Sequence, residues 1–135
     1  MTQEDKELLL KDLCARLPYE VEVYYSETVP ISTLKTINSE KGTCILYDHS
    51  QWYRHNKFHI EEVKPYLRPM SSMTEEEEKE YINIDNRSYS CPKDYAHIPA
   101  SDRIDWLNAH HFDYRGLIEK GLALEAKEGI YDLHL

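Results

Sequence analysis

The chain has 135 residues, with 16 basic and 25 acidic side chains and a formal net charge of −9. That length suits one domain, and 41% hydrophobic with 30% charged residues excludes a disordered chain. The acidity excludes direct duplex DNA binding, which needs a basic footprint, and no apolar run approaches the length of a membrane span.

The charge is uneven. Residues 1–68 hold nine basic and eleven acidic side chains, and residues 69–135 hold seven and fourteen. A basic protein partner, or solubility alone, fits that distribution. Three cysteines, Cys14, Cys44 and Cys91, are widely spaced and form no zinc or redox motif. No signal-peptide pattern opens the chain, so the reading is a reduced, cytoplasmic protein.

In chain order, Thr2 can cap a helix running to Leu17, with Leu9, Leu10, Leu13, Cys14 and Leu17 as its apolar stripe. Pro18 ends it. From Glu20 the period becomes two: Val21, Val23 and Tyr25 alternate with Glu20, Glu22 and Tyr24, which predicts a half-buried strand. Residues 31–37 and 43–47 are further strands across an Asn-Ser-Glu-Lys-Gly turn at 38–42. Trp52 to Arg54 and Phe58 to Ile60 flank a predicted hairpin, and residues 60–63 a short helical turn.

The stretch from Lys64 to Tyr81 joins the two halves of the chain. Pro65 and Pro69 lack amide donors, so the strand around Tyr66 can pair only along an edge or for a short run. Thr74 with Glu77 fits the capping box of a second helix reaching Ile84. The carboxylates of Glu75 to Glu78 suit its positive end. They read as a solvated first turn, with an acidic docking or nucleic-acid-mimicking surface as the functional alternative. Residues 85–100 read as an irregular loop. Ser101 can cap a third helix through Ala109, with Ile104, Leu107 and His111 on one stripe. Asp113 can cap a short fourth, with Gly121 as its left-handed end. Leu122, Leu124 and Ala126 alternate as a short strand, and the chain closes in a tail from Gly129.

Few residues carry chemistry. His110 and His111 are adjacent, and on a helix their rings diverge by about 100°, which argues against a shared metal. Cys14 and Cys44 read as small hydrophobes, and Cys91 as the most exposed thiol, with no base in view. No phosphate-cradling glycine loop occurs, and no cofactor is expected. The aromatics Tyr24, Tyr25, Tyr47, Trp52, Tyr53 and Phe58 could form a binding face beside Arg54 and His55, or simply a core with surface tyrosines.

Three segments carry a resemblance: KELLLKDLCARLPY at 6–19, KPYLRPMSSMTEEE at 64–77 and DYRGLIEKGLALEA at 113–126. Together they resemble a family of short uncharacterised proteins of gut Bacteroides-type bacteria and their prophages, while residues 21–63 depart from it. The resemblance implies a bacterial cytoplasm and a mobile element, with conflict with host defences as its expected context; it implies no activity.

The expected fold is α+β: an N-terminal helix, a small curved antiparallel sheet or SH3-like barrel, and a C-terminal helical lobe. The division falls at 1–69 and 70–135, within one domain. The expected function is a non-enzymatic, protein-binding accessory protein. Trp52, Tyr53, Arg54, Tyr66, Arg68, Glu75, Glu76, Glu78 and Arg115 are its candidate binding residues. The alternative is a protein that sequesters a signalling nucleotide through Arg54, Arg68, Arg87, Arg103 or Arg115. A metal-dependent hydrolase using His110 and His111 is the third reading.

Overall fold

The first helix, α1 (Gln3–Arg16), starts on the expected cap: the Thr2 hydroxyl accepts the Asp5 amide, and the Asp5 carboxylate accepts the Thr2 amide. A 3₁₀ turn at Leu17–Tyr19 ends it and delivers Glu20 in a left-handed conformation. A computed structural model provides these coordinates and describes residues 1–47, 57–90 and 98–131, with the backbone alone at 85–90 and 98–101.

The face that α1 buries is not purely apolar. Leu9 and Leu13 are fully buried, and so are Asp12 and Arg16. These four positions follow the i, i+3, i+4, i+7 spacing of one helix face. Cys14, expected on the apolar stripe, is exposed. The stripe turns by about one residue (roughly 100°) toward the buried charges.

Five strands follow: β1 (Glu22–Tyr24), β2 (Ser32–Asn38), β3 (Thr43–Tyr47), β4 (Lys57–His59) and β5 (Lys64–Pro69). They pair antiparallel in the order β4-β3-β2-β1-β5. A register shift between Leu34 and Thr36 bends the β2–β3 ladder. Of the expected hairpin, β4 is seen, paired with β3; Trp52, Tyr53 and Arg54 lie outside the described residues. The sheet stays open among the described strands, so the curved-sheet alternative holds and the barrel does not close.

Two short strands from the second half join β5. β6 (Phe112–Asp113) and β7 (Leu124–Glu125) both pair with it in parallel. The sheet is therefore mixed, and β5 is interior. Its partners each pair over two residues, a run short enough to accommodate Pro65 and Pro69. Pro65 to Arg68 are all buried.

The helices α2 (Glu75–Ser90) and α3 (Ile98–Ala109) lie between. The segment 85–90, expected as a loop, continues α2; its Asp, Asn and Ser are weak helix formers, but propensity is easily outweighed by context. α3 begins three residues before the expected cap at Ser101. Leu107 is buried, whereas Ile104 is exposed and His111 has left the helix at φ +64°. In place of a fourth helix there is one turn. Asp113 accepts the amides of Leu117 and Ile118, and Gly121, at φ +76°, closes it. The bonds Leu122 N to Leu117 O and Gly121 N to Ile118 O form the Schellman pattern.

The core joins α1 (Leu9, Leu13), the sheet (Val21, Val23, Leu34, Cys44, Leu46, Phe58, Val63, Leu67) and the 117–123 turn (Leu117, Leu122, Ala123). Strand pairings thus cross from residues 1–69 to 70–135 from Tyr66 to Pro69 of β5. No helix among the described residues is long and apolar enough to cross a membrane.

Candidate functional site

Burying Asp12 and Arg16 together requires that their charges be paired. Arg16 Nε donates to Asp12 Oδ2 at 2.8 Å, and Arg115 Nη1 donates to Asp12 Oδ1 at 2.9 Å. Arg16 Nη2 donates to the Phe112 carbonyl at 2.6 Å. Both guanidinium groups lie over the Tyr114 ring. One carboxylate on α1 thereby holds two arginines, and these tie the start of β6 to the first helix.

A second ion pair anchors α2. Arg68 on β5 forks onto Glu77, both N–H···O distances being 2.7 Å. Glu77 also closes the capping box, accepting the Thr74 amide while Thr74 Oγ1 accepts the Glu77 amide. The Arg68 bonds hold the Glu77 carboxyl down at about 2, against a desolvation effect of opposite sign. Within the glutamate run, Glu77 is turned inward. Glu75, Glu76 and Glu78 are exposed.

The third anchor is Tyr131. The β1–β5 register brings Glu22 opposite Tyr66. There the Tyr131 hydroxyl enters the ladder, accepting the Glu22 amide at 2.9 Å and donating to the Tyr66 carbonyl at 2.7 Å. Burial pushes its phenol well above the usual range. His111 stacks on the Tyr131 ring at 3.6 Å. Burial, with the positive charges of Arg16 and Arg68 nearby, lowers the imidazole to about 3, so it is neutral at pH 7.

In front of these anchors lies a groove of about 240 Å³. One wall is the turn leading into α2, at Ser72 and Thr74; the other is the segment 125–129 from the end of β7 onward. Arg68 and Tyr131 lie between them. Glu125 and Glu128 are exposed on the second wall, with Lys127 between. The groove and the adjoining turn of α2 thus offer five exposed carboxylates. Arg68, the cation inside, is already committed to Glu77.

The expected binding residues separate accordingly. Glu75, Glu76 and Glu78 are exposed on the first turn of α2, which follows Thr74 of the groove; they do not line the groove itself. Tyr66 and Arg68 are buried on β5 beneath it, and Arg115 is bound to Asp12. The side chain of Arg87 lies outside the described residues; Arg103 is partly buried on α3. In the aromatic set, Phe58 is core with Tyr25 packed edge-on at 4.6 Å, and Tyr24 and Tyr47 are partly buried. His110 stacks on Trp106 and donates Nδ1–H to its carbonyl at 2.9 Å, directed away from the Tyr131 stack of His111. Among the described residues, no group of three or more His, Cys, Asp or Glu converges to hold a metal. Cys91 lies outside them.

Sequence reasoning missed Asp12, Arg16 and Tyr131. The signal for the first two was their 9-12-13-16 spacing; nothing around Tyr131 marks it. No family model matches the chain, and neither a curated protein nor a solved structure does.

Proposed function

We propose that the chain is a non-enzymatic protein-binding protein, and that the groove between α2 and the segment after β7 receives a basic segment of its partner. The observation that carries this is the division of labour in the glutamate run. Glu77 faces inward and fixes the helix, while Glu75, Glu76 and Glu78 face water beside a groove whose far wall adds Glu125 and Glu128. About 240 Å³ is small for a ligand pocket but admits one or two lysine or arginine side chains. Carboxylates on such a rim set association rate and specificity more than affinity. The resemblance of 6–19, 64–77 and 113–126 to proteins of gut bacteria and their prophages supports a place as an accessory protein of a mobile element, acting on a host protein, with host defence as the expected context.

The test is cross-linking in a bacterial host, with tagged full-length chain beside Glu75→Lys/Glu76→Lys/Glu78→Lys. The expected result is one stoichiometric partner, cross-linked through a Lys- or Arg-rich segment and lost from the triple variant. Equal capture by both chains, or cross-links confined to another face, would overturn the reading.

A further inference from the structure

A second cavity, away from the acidic groove, has the opposite electrostatic character. It measures about 250 Å³ and lies between the first turns of α1, the β2–β3 turn and the end of β4. Its apolar surface comes from Leu10 and the buried Ile60. Around that surface stand Lys6, Lys41 and His59, with Glu61 as the acid. Glu61 is engaged already: Lys6 Nζ lies 2.9 Å from its carboxylate and holds the carboxyl below its usual range. The Lys41 ammonium and the His59 ring have no hydrogen-bond or ion-pair partner among the described residues.

The frame of this cavity is fixed. The Asn38 side chain accepts the Lys41 amide at 3.2 Å, and the Gly42 carbonyl accepts the Ile60 amide at 3.0 Å. Gly42 has φ +65°, a conformation that favours glycine, and an added Cβ there would meet nothing within 4 Å. The space beside the turn is therefore open, and the backbone that carries Lys41 and leads on from His59 is held in place before any ligand arrives. A protein of net charge −9 repels anions over most of its surface, so an unpaired lysine beside an apolar floor favours one ligand class.

We infer that this cavity is a binding site for a small amphiphilic anion: one carboxylate or phosphate head against Lys41 and His59, and a short apolar body on Leu10 and Ile60. Lysine suits such a head as a mobile point charge with several donors. The volume admits a metabolite-sized body, below the usual range for a drug-sized ligand. The site is independent of the acidic groove and shares no residue with it.

The test is an amide chemical-shift titration of the full chain with hexanoate, phenyl phosphate and the uncharged hexanol. Saturable shifts at Gly42, Ile60 and Glu61 with at least one anion are expected, with hexanol at least about tenfold weaker, a difference of about 1.4 kcal/mol. The tighter of the two anions separates carboxylate from phosphate. Lys41→Glu should weaken binding by a similar factor, while Lys79→Glu, an equal charge change on exposed α2, should leave it intact. Hexanol binding as well as the anions, no saturable shift with either anion, or equal losses in both variants would overturn the assignment.

Discussion

Asp12, His111 and Tyr131 each hold a role that a single substitution can test. Asp12 neutralises Arg16 and Arg115 from a fully buried position. Asp12→Ala should cost about 3–5 kcal/mol, because it strands a buried guanidinium. The combined Asp12→Leu/Arg16→Met chain should lose less than the sum of its parts, since Arg115 can swing to water. Urea midpoints measure both. Tyr131→Phe keeps the ring on His111 but removes the hydroxyl shared by Glu22 and Tyr66. About 1–3 kcal/mol should be lost, with faster hydrogen exchange at the Glu22 amide; unchanged exchange would show that the hydroxyl does not close the ladder. His111 gives a pH dependence. Its folded value of about 3 lies below the ordinary 6.5, so the unfolded chain takes the proton first. The stability it contributes is complete above pH 6.5 and drains as pH falls through 6.5 toward 3, by at most about 1.4 kcal/mol per pH unit. Glu77 runs the same way but lower, from 4.5 toward 2. Between pH 6.5 and 4.5, His111→Asn, a side chain that tolerates positive φ, should therefore flatten the stability profile. An equal slope in both chains would mean that His111 is protonated in the fold.

At the scale of elements, α2 is anchored by one carboxylate with two tasks. Glu77→Gln keeps an acceptor for the Thr74 amide but removes the charge facing Arg68. The loss should reach about 3–5 kcal/mol if the pair behaves as buried, which its side-chain exposures of 9% and 14% support. Thr74→Ala should cost only about 1 kcal/mol. Thermal unfolding separates them, and equal losses would place Glu77 in capping alone. Those same residues show what the sequence made legible. The Thr2 cap, the Thr74–Glu77 capping box, the β3 strand and the Gly121 turn follow from local rules, because each depends on neighbours within five residues. The Arg68–Glu77 pair does not, since nine positions separate its members. In α1, a stripe assigned from apolar residues alone took in Cys14 and left out Asp12 and Arg16, because charge was counted as outside. Residues 85–90 misled in another way: side chains that favour loops lie in a helix whose preceding turns fix its path. The exposed Glu75, Glu76 and Glu78 were legible, but the groove beside them is built by 125–129, whose approach to β5 no local pattern announces.

For the molecule as a whole, the sheet and the buried charges give one frame with two electrostatically opposite surfaces. The acidic groove sits where residues from both halves meet; the cationic cavity sits at the far turn between β2 and β3. Net charge concentrated in residues 69–135 should steer a basic partner toward the groove, and screening should weaken that steering as salt rises. The pairs beneath it, Arg68–Glu77 and Asp12–Arg16, are shielded and should persist. The measurement that bears most directly on this is fluorescence anisotropy of a labelled, extended Arg/Lys-rich peptide titrated with the full chain at low and high salt. Saturable binding that weakens with salt, and is abolished by reversing Glu75, Glu76 and Glu78 but not by reversing Glu4 and Glu7 on α1, is the predicted result. Binding indifferent to which glutamates are reversed, or no saturation at low salt, would contradict the acidic groove as the protein's docking surface.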